Sequence, residues 1–307
     1  MLWREREGAN TRFFHQQSAW RRRRNFIQQL EVDGQVATSP EEKAGIAHSF
    51  FSQLLGSAGS REFSIDLPFI QRNGRDLRFL EEPFSEEEAW AAVRDSPRDK
   101  APGPDGFSGQ FYHSCWGIIK DDVMAALLQL HRMDGSSLGR VNRAFISLLP
   151  KKPDAKNLRD FRPISLLHSF VKLFSKILSR RLAPELDSLV AKNQSAFVKK
   201  RCIQDNFMLV KQSAKRLHER KQPSLLLKLD IARAFDSISW PFILEVLEHK
   251  GFGRRWISWI AMLFSTASTR VLINGAPGET IWHRRGVCQG DPISPMIFIL
   301  AMDSLSS

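Results

Sequence analysis

The chain has 307 residues and is 42% hydrophobic, which is enough to bury a sizeable core in one large domain or two small ones. Its formal net charge of +12 and its isoelectric point near 10.0 favour a polyanionic partner. The three cysteines, Cys115, Cys202 and Cys288, are far apart and form no Cys-x-x-Cys pair, so they support neither a zinc site nor a disulfide framework.

The N-terminal segment from Trp3 to Leu30 is basic and aromatic, and its pattern predicts a helix from Thr11 onward. Its first residues are charged and are followed by no apolar stretch of the kind that a secretory signal needs. A later apolar stretch, Met296 to Met302, is too short to span a bilayer. We therefore expect an intracellular protein, in the nucleus or the cytoplasm, that is not secreted and has no membrane partner.

Two helix starts follow a turn predicted at Asp33-Gly34, and each start has a serine that can cap it. Ser39 with Glu42 predicts a capping box, and so does Ser85 with the glutamates after it. Residues 57–82 between the two helices show little periodicity and are interpreted as a linker. The first helix is expected to continue through Ala44, Ile46, Phe50 and Leu54, and the second through Trp90 and Val93.

A loop, a hairpin and two helices come next. The segment Asp99–Phe107 contains two prolines and two glycines, so it predicts a shaped loop and excludes regular structure. The strand Ala144–Pro150 is followed by a return strand around Phe161–Ser165. Amphipathic helices are predicted from Leu166 to Arg181 and from Ile203 to Arg220.

The C-terminal part combines strands and helices. The continuous apolar run Leu225–Leu229 is interpreted as a buried strand. The later elements are helices near Trp240–His249 and Arg255–Phe264, a strand at Thr269–Ile273 with a turn at Asn274-Gly275, and a helix from Pro292.

Positive charge is concentrated between Arg140 and Lys221, where 20 Lys and Arg residues stand against 6 Asp and Glu residues. A second cluster, Arg21–Arg24, lies near the N-terminus. Such runs can be plain solvated surface, and the arginine cluster can also be a nuclear-import signal. Since the excess extends along a whole segment, we interpret it as a nucleic-acid-binding surface.

Asp230 directly follows the Leu225–Leu229 run and is the candidate for metal chemistry. Nucleotidyl transfer uses two divalent cations to activate a 3′-hydroxyl and to neutralise the departing pyrophosphate. Mg²⁺ prefers carboxylates that leave room for substrate phosphate and water. An aspartate at the end of a buried strand suits this role. Taken alone, however, Asp230 is better explained as a cap of the turn after the strand.

Two segments carry the main motif pattern: Leu225–Asp236, which contains Asp230 and Ala234-Phe235-Asp236, and Arg285–Pro295, which contains Gln289-Gly290-Asp291. Further segments in matching order are Lys100–Phe107, Leu149–Lys152 with Asp160–Leu166, Asn193–Asn206, Lys250–Ile257 and Asn10–His15. Together they resemble the reverse transcriptases of LINE-type non-LTR retrotransposons over most of the chain. The Asn10–His15 segment resembles plant members of that family.

The resemblance implies roles for the matching positions. Asp230 would be the catalytic carboxylate and would ligate Mg²⁺, with the Ile231 carbonyl as a second ligand. Phe235 would be the steric gate that rejects ribonucleotides, although an ordinary core phenylalanine explains the residue alone equally well. Asp236 is interpreted as a structural hydrogen-bonding residue. The other implied contacts are Lys152, Arg162, Gln289 and Gly290 with the incoming dNTP, and Lys151, Lys199, Lys200 and Arg201 with the RNA template and DNA primer.

The chain also departs from the family pattern. Cys288 stands where members often carry Arg, and Lys199-Lys200 replaces a more usual Pro-Gly. No Phe/Tyr-Ala-Asp-Asp segment is present. Asp291 and Asp303 are not substitutes, because the first belongs to a turn and the second to a terminal helix. We therefore expect a truncated polymerase with an incomplete two-metal site.

The expected fold is α+β, with the fingers and an incomplete palm of a right-hand polymerase in residues 83–307. Residues 1–82 form a helical basic extension and linker. Without the missing hairpin, the Leu225–Leu229 strand would be an unpaired sheet edge, and we expect marginal stability. The expected function is a fragment of an RNA-directed DNA polymerase that is inactive alone. The alternatives are a non-catalytic RNA/DNA-binding remnant and an unselected pseudogene product. A metal-dependent nuclease is disfavoured because no second acidic cluster is evident.

Overall fold

The computed structural model describes residues 16, 19–20, 23, 25–58, 66–67, 75–133, 138–221, 223–225, 227, 231 and 233–304. In these ranges helices and strands are mixed, which confirms the predicted α+β class. The helices are Pro40–Leu55 (α1), Glu86–Arg94 (α2), Gly109–His131 (α3), Leu138–Val141 (α4), Ser169–Leu182 (α5), Leu186–Leu189 (α6), Ile203–Glu219 (α7), Ala234–Ser237 (α8), Trp240–His249 (α9), Arg254–Ser265 (α10) and Ser294–Asp303 (α11). The strands are Leu30–Val32 (β1), Gln35–Ala37 (β2), Arg143–Pro150 (β3), Phe161–Leu167 (β4), Ser268–Ile273 (β5) and Ala276–Trp282 (β6). Most of the helix predicted from Thr11, and most of the Arg21–Arg24 cluster, lies outside the described residues.

The central sheet has the strand order β4-β3-β5-β6. The predicted hairpin pairs β3 antiparallel with β4, and the predicted turn at Asn274-Gly275 joins β5 antiparallel to β6. The two hairpins meet through β3 and β5, which run parallel. A separate hairpin, β1-β2, turns at Asp33 and Gly34, whose φ angles of 48° and 85° suit a two-residue hairpin turn. The predicted β3-β4 hairpin and the two predicted turns are therefore confirmed.

One face of the sheet is buried under α1. Ala144, Ile146 and Leu148 are buried and alternate with more exposed residues, because successive side chains of a strand point to opposite faces. Ile146 and Leu148 belong to a hydrophobic cluster that includes Phe51 and Leu55 of α1. This contact joins the N-terminal helical segment to the sheet.

The predicted start of α1 is confirmed. The backbone N–H of Glu42 donates to Ser39 Oγ at 3.1 Å, and the Ser39 N–H donates to Glu42 Oε2 at 3.1 Å. The apolar residues named in the sequence as helix positions are not the most buried ones. Its buried apolar residues are Ala47, Phe51 and Leu55, whereas Ile46, Phe50 and Leu54 are partly buried.

A larger core lies among the helices α2, α3, α5, α9, α10 and α11. Phe174, Trp256 and Trp259 are fully buried there, and the Trp259 indole donates to the Leu130 carbonyl at 2.9 Å. The predicted helices at α9 and α10 are confirmed. The helix predicted from Leu166 begins only at Ser169, because residues 166–167 still pair with β3 as the end of β4.

The interpretation of residues 57–82 as a linker is wrong for residues 75–82. Arg78–Glu81 forms a short 3-10 helix, and Leu77 and Leu80 are buried in the larger core. Glu81 Oε1 also accepts the backbone N–H of Trp256 at 2.8 Å. Short irregular segments bury side chains without any periodic pattern, so their packing leaves no signal in the sequence. The domain boundary at residue 82 stays a prediction.

The predicted buried strand at Leu225–Leu229 is wrong for its described residues. Leu225 and Leu227 are 93% and 70% exposed, and neither belongs to a strand. Leu226, Lys228 and Leu229 lie outside the described residues. An apolar run predicts burial only when another element covers it, and the described sheet does not pair with residues 223–225 or 227.

The predicted helix at α7 is confirmed, but its apolar side chains are not covered. No residue of α7 is buried, and Phe207 is 67% exposed. Leu209, Val210 and Leu217 of this helix line an open cleft of about 470 Å³ together with Leu225. Across all the described ranges, no helix combines the length and the apolar character needed to cross a bilayer.

Candidate nucleotidyl-transfer site

The turn after Asp230 is the first component of the candidate site. Asp230 lies outside the described residues, as does Ala232. Ile231 is described and is 49% exposed. Arg233 has a φ of 54°, a left-handed conformation that turns the chain into the short helix α8. The metal-ligand roles of Asp230 and Ile231 remain predictions.

This turn is bonded directly to the loop that begins at Gly286. The Val287 N–H donates to the Phe235 carbonyl at 2.8 Å, and the Gly286 N–H donates to the Ile238 carbonyl at 2.8 Å. The Trp240 indole N–H donates to the Gly286 carbonyl at 2.7 Å. The two segments that carry the main sequence motifs therefore form one structural unit, although about fifty residues separate them.

Glycine at position 286 permits this close approach. Its φ is 76°, and a Cβ atom there would lie 2.7 Å from the Asp236 carbonyl oxygen. Both the left-handed conformation and the lack of space disfavour a side chain. Gly286 is therefore required by the contact between the two motif segments.

Asp236 and Gln289 connect the same two segments through their side chains. Gln289 Nε2 donates to Asp236 Oδ1 at 3.2 Å. Burial raises the pKa of Asp236, and the Gln289 hydrogen bond and the charge of Arg233 oppose that shift. This geometry agrees with the interpretation of Asp236 as a structural hydrogen-bonding residue, and it fixes the orientation of the Gln289 amide.

The Phe235 ring lies against the C-terminal helix α11. It stacks on Phe298 with the ring centroids 4.1 Å apart and the planes inclined by 18°. Phe235 is partly buried, so stacking fixes one side of the ring and leaves part of it accessible. The assignment of Phe235 as a steric gate remains a prediction.

The loop continues onto the first hairpin at Gly290. This residue has a φ of 99°, and a Cβ atom there would lie 3.3 Å from the Ser165 carbonyl oxygen of β4. Arg162 is exposed on the same strand, opposite Leu149. The structure thus brings the strand that carries Arg162 against the loop that carries Gln289 and Gly290.

Lys151 and Lys152 lie at the turn between β3 and β4. Lys151 Nζ donates to the Arg159 carbonyl at 2.8 Å, and Lys152 Nζ pairs with Asp160 at 3.0 Å. The Lys152 pair holds the pKa of the Asp160 carboxyl below its ordinary value. Both lysines are exposed, so each ammonium is accessible to an anion only in competition with its internal partner.

The other predicted nucleic-acid contacts lie elsewhere and differ in their surroundings. Lys199 and Lys200 are exposed, and Lys200 has a φ of 70°, which explains why glycine suits this position. The Arg201 guanidinium is turned inward. It donates to Asp187 Oδ1 at 2.9 Å and to the Gln194 carbonyl at 2.6 Å. Its geometry favours a structural role, and its predicted contact with nucleic acid gains no support.

The acidic residues of the loop and of helix α11, Asp291 and Asp303, are already engaged. Asp291 Oδ2 accepts the backbone N–H and the hydroxyl of Ser294 at 3.1 and 2.7 Å, at the start of α11. Asp303 is buried and pairs with Lys250 at 3.1 Å. Burial raises the pKa of the Cys288 thiol to about 12, and the charges of Asp291 and Asp236 add to this effect. Cys288 is therefore a neutral, partly buried thiol.

These contacts limit what the described residues can offer to a metal. Among the residues that the structure describes, no three His, Cys, Asp or Glu side chains are grouped so that they could hold an ion. Asp236, Asp291 and Asp303 all have internal partners. The described donors therefore do not fit a complete two-ion magnesium site, even with Asp230 added as one carboxylate.

The sequence analysis missed the contribution of the N-terminal helix to this site. Arg285 Nε and Nη2 donate to the carbonyls of Leu54 and Gln53 at the end of α1, at 2.7 and 2.9 Å. The Arg233 guanidinium lies over the Phe50 ring, 4.9 Å from its centroid. Helix α1 thus contacts both motif segments. No local pattern predicts such contacts, because they join residues more than 180 positions apart.

Comparison with known proteins agrees with this geometry. The family model described as "Reverse transcriptase (RNA-dependent DNA polymerase)" matches residues 149–307. The "Transposon TX1 uncharacterized 149 kDa protein" of Xenopus laevis is 29% identical over 279 residues, which are 88% of this chain and 21% of that protein. The R2 retrotransposable-element Pol polyprotein of Nasonia vitripennis is 24% identical over 94% of this chain and 27% of its own length. The R2DM polyprotein of Drosophila melanogaster is 27% identical over 71% of this chain and 21% of its own length.

The matched region contains both motif segments and most of the sheet, and the chain spans between a fifth and a third of the length of these relatives. The relatives are transposon and retrotransposon proteins, which confirms the resemblance to non-LTR elements that the motifs predicted. Because the family model covers more than half of its residues, this chain belongs to the reverse transcriptase (RNA-dependent DNA polymerase) family, with non-LTR retrotransposon proteins among its relatives.

Proposed function

We propose that this chain supplies the fingers and the first palm segment of an RNA-directed DNA polymerase that extends a DNA 3′ end along an RNA template. The pair of backbone hydrogen bonds between Phe235–Ile238 and Gly286–Val287 carries this proposal. It joins the segment next to Asp230 to the loop of Gln289 and Gly290, as a nucleotide pocket beside a catalytic carboxylate requires.

In this proposal the residues around the loop bind and orient the incoming dNTP. Arg162 contacts the triphosphate, because its planar guanidinium can donate two hydrogen bonds to phosphate oxygens. Lys152 adds a point charge after it exchanges Asp160 for phosphate. Gln289 is held by Asp236, so its side chain is pre-oriented, and Phe235 lies beside the sugar. Asp230 would hold Mg²⁺, which would activate the primer hydroxyl and neutralise the developing charge.

We further propose that these 307 residues do not complete the chemistry alone. Two-ion catalysis needs at least one more carboxylate beside Asp230, and the described carboxylates of the two motif segments, Asp236 and Asp291, have internal hydrogen-bond partners. Burial also raises the pKa of both carboxyls, which weakens them as metal ligands. The chain is expected to bind template, primer and dNTP and to add no nucleotide. It is also expected to be intracellular.

A ternary-complex assay tests the polymerase-type function without requiring catalysis. The affinity for an RNA–DNA hybrid with a recessed 3′ end is measured with Mg²⁺ and either the complementary dNTP or a mismatched one. We expect the complementary dNTP, but not the mismatched one, to tighten the binding of the hybrid. Arg162→Gln should abolish that effect. Arg159→Gln is the matched control, because it removes a similarly exposed charge from the same hairpin. Equal affinity with both dNTPs would contradict the proposed nucleotide pocket.

A non-catalytic nucleic-acid binder is the second candidate function. It is favoured by the exposure of Leu225 and Leu227, which precede Asp230 in the sequence, since a catalytic carboxylate needs a rigid support. A binder of this kind would hold the hybrid with a steep salt dependence and with no response to dNTP. The absence of any saturable binding would instead favour an unselected pseudogene product.

A further inference from the structure

A small cavity outside the candidate site lies between the loop of residues 99–107 and the first turn of α5. Its volume is about 50 Å³. Since one water needs roughly 10–15 Å³ of such space, the cavity can admit a few waters or one small anion such as a phosphate group. Its polar lining side chains are those of Lys100, Ser108, Ser169, Lys172, Ser96 and Tyr112.

The loop is held rigidly against α5. A Cβ atom at Gly103 would lie 2.0 Å from the Leu167 carbonyl oxygen, so only glycine allows the loop to rest on the end of β4. The carboxylate of Asp105, whose side chain is only 5% exposed, accepts the Ser169 N–H at 2.8 Å and also the Ser169 hydroxyl. The cavity wall is therefore fixed before any ligand enters.

Two ammonium groups, those of Lys100 and Lys172, line this cavity. Within the described residues, neither Lys100 nor Lys172 forms a side-chain hydrogen bond or a salt bridge. Burial lowers the pKa of Lys172, and repulsion from Lys100 and Lys176 lowers it further, while Asp291 acts in the opposite direction. A half-buried ammonium that is repelled by two others is stabilised when an anion binds beside it.

We propose that this cavity binds one phosphate group of the nucleic-acid backbone between Lys100 and Lys172. The proposal rests on the polymerase function proposed above and adds a contact to which the motif resemblance gives no role. A phosphodiester suits the site because it is a small anion with oxygens that accept hydrogen bonds from ammonium groups. The triphosphate of a dNTP has the same chemistry, so the two sources must be separated by experiment.

The test measures how the affinity of the full chain for a labelled RNA–DNA hybrid depends on salt. Neutralising one phosphate contributes about 0.9 to the slope of log K against log salt, taking duplex DNA as the reference. The double variant Lys100→Gln with Lys172→Gln should therefore lower the slope by about 0.9. The control, Arg78→Gln with Lys120→Gln, removes two solvent-accessible cations outside the basic Arg140–Lys221 segment, which pair with Asp76 and Glu86 at 2.6 and 3.2 Å. It should leave the slope nearly unchanged.

A third variant distinguishes a preformed phosphate site from a diffuse basic surface. Asp105→Asn keeps both lysines and raises the net charge by one, but it weakens the contact that holds the loop on Ser169. A preformed phosphate site predicts weaker hybrid binding by this variant, whereas a diffuse basic surface predicts equal or tighter binding. Thermal melting of every variant identifies any loss of folding. The double glutamine variant provides an independent test if Asp105→Asn does not fold.

The salt titration separates three cases: a wrong phosphate site, a phosphate supplied by the nucleotide, and a wrong proposed function. If the wild-type chain binds hybrid and the double variant keeps the control's slope, the phosphate site is wrong and the proposed function stands. If the double variant loses affinity for free dNTP but keeps its hybrid slope, the phosphate comes from the nucleotide and the proposed backbone contact is wrong. If the wild-type chain binds no hybrid at all, the phosphate contact and the proposed function fail together.

Discussion

Gly286 couples local backbone conformation to the assembly of the site. Its φ is 76°, and a Cβ atom at this position would lie 2.7 Å from the Asp236 carbonyl oxygen, so both conformation and space require glycine. Gly275 offers a contrast, because its φ is 93° and a side chain there would meet no atom within 4 Å. The two positions therefore separate the cost of conformation from the cost of a steric clash.

We predict that Gly286→Ala lowers the free energy of unfolding by about 3 kcal/mol, since left-handed strain and overpacking add together. Gly275→Ala should lower it by only about 1 kcal/mol, because conformation alone is affected. Urea unfolding of both variants measures the difference. Equal destabilisation would mean that the contact between Gly286 and the Asp236 backbone is not tight in solution.

His283 makes the stability of the sheet depend on pH. It is buried beside Thr269, 3.2 Å from the hydroxyl, and burial lowers its pKa from 6.5 to about 4. The folded chain thus disfavours the protonated ring. Its contribution to stability is fully present above pH 6.5 and is lost as the pH falls through 6.5 towards 4.

The protonation of His283 can change the free energy of unfolding by about 3.5 kcal/mol at most, from about 1.4 kcal/mol for each unit of pKa. We predict that the wild-type chain loses up to this amount of stability between neutral pH and about pH 4, relative to His283→Gln. The variant has no ionisable group at this position, so denaturant midpoints of the two chains should converge at low pH. Parallel pH profiles would contradict the buried, neutral histidine.

At the scale of elements, α1 connects the N-terminal segment to the candidate site. Its last carbonyls accept hydrogen bonds from the Arg285 side chain and from the Arg284 backbone N–H. A positive side chain at this end also interacts favourably with the helix dipole. Because Arg285 directly precedes Gly286, the end of α1 helps to fix where the motif loop begins.

We predict that Arg285→Ala destabilises the chain by about 1 kcal/mol and speeds hydrogen exchange at the Gly286 and Val287 amides. Arg284→Ala is the control at the neighbouring position, because Arg284 uses only its backbone in this contact and its side chain is exposed. Hydrogen exchange followed by mass spectrometry compares the two variants. Equal exchange in both would show that α1 does not anchor the loop.

The sequence predicted those elements whose signals are local. The capping box at Ser39, the shaped loop of residues 99–107 and the turn at Asn274-Gly275 each depend on a few adjacent residues, and the structure contains all three. The buried strand at Leu225–Leu229 failed in its described residues, because burial depends on a partner that the run itself does not specify. The exposure of the apolar side chains of α7 was not predictable for the same reason, because the helical pattern does not specify which element covers them.

The sequence indicated which segments carry the candidate site but not how they contact each other, and the roles of the named residues remain predictions. Motif spacing identified Phe235, Gln289 and Gly290, and the structure brings their segments together. The inward turn of Arg201 and the packing of Leu77 depend on distant backbone positions, so no local pattern indicates them. Asp230 lies outside the described residues, and its role remains a prediction.

At the scale of the whole molecule, two packed cores lie beside one uncovered region. The sheet with α1 and the larger helical core bury their apolar side chains, whereas α7 and residues 223–225 leave theirs exposed. The loop proposed to bind nucleotide thus lies among packed elements, whereas the run that precedes Asp230 in the sequence is exposed where it is described. This contrast underlies the proposal that the chain binds its substrates without completing the reaction.

Primer extension on an RNA template with Mg²⁺ and dNTPs tests this central claim most directly. The chain is compared with its Asp230→Ala variant under conditions in which both bind the hybrid. We predict that neither extends the primer, because a single carboxylate cannot assemble the two-ion site. Extension by the wild-type chain that is lost in Asp230→Ala would contradict this account. It would mean that another carboxylate, from this chain or from a second copy, completes the site.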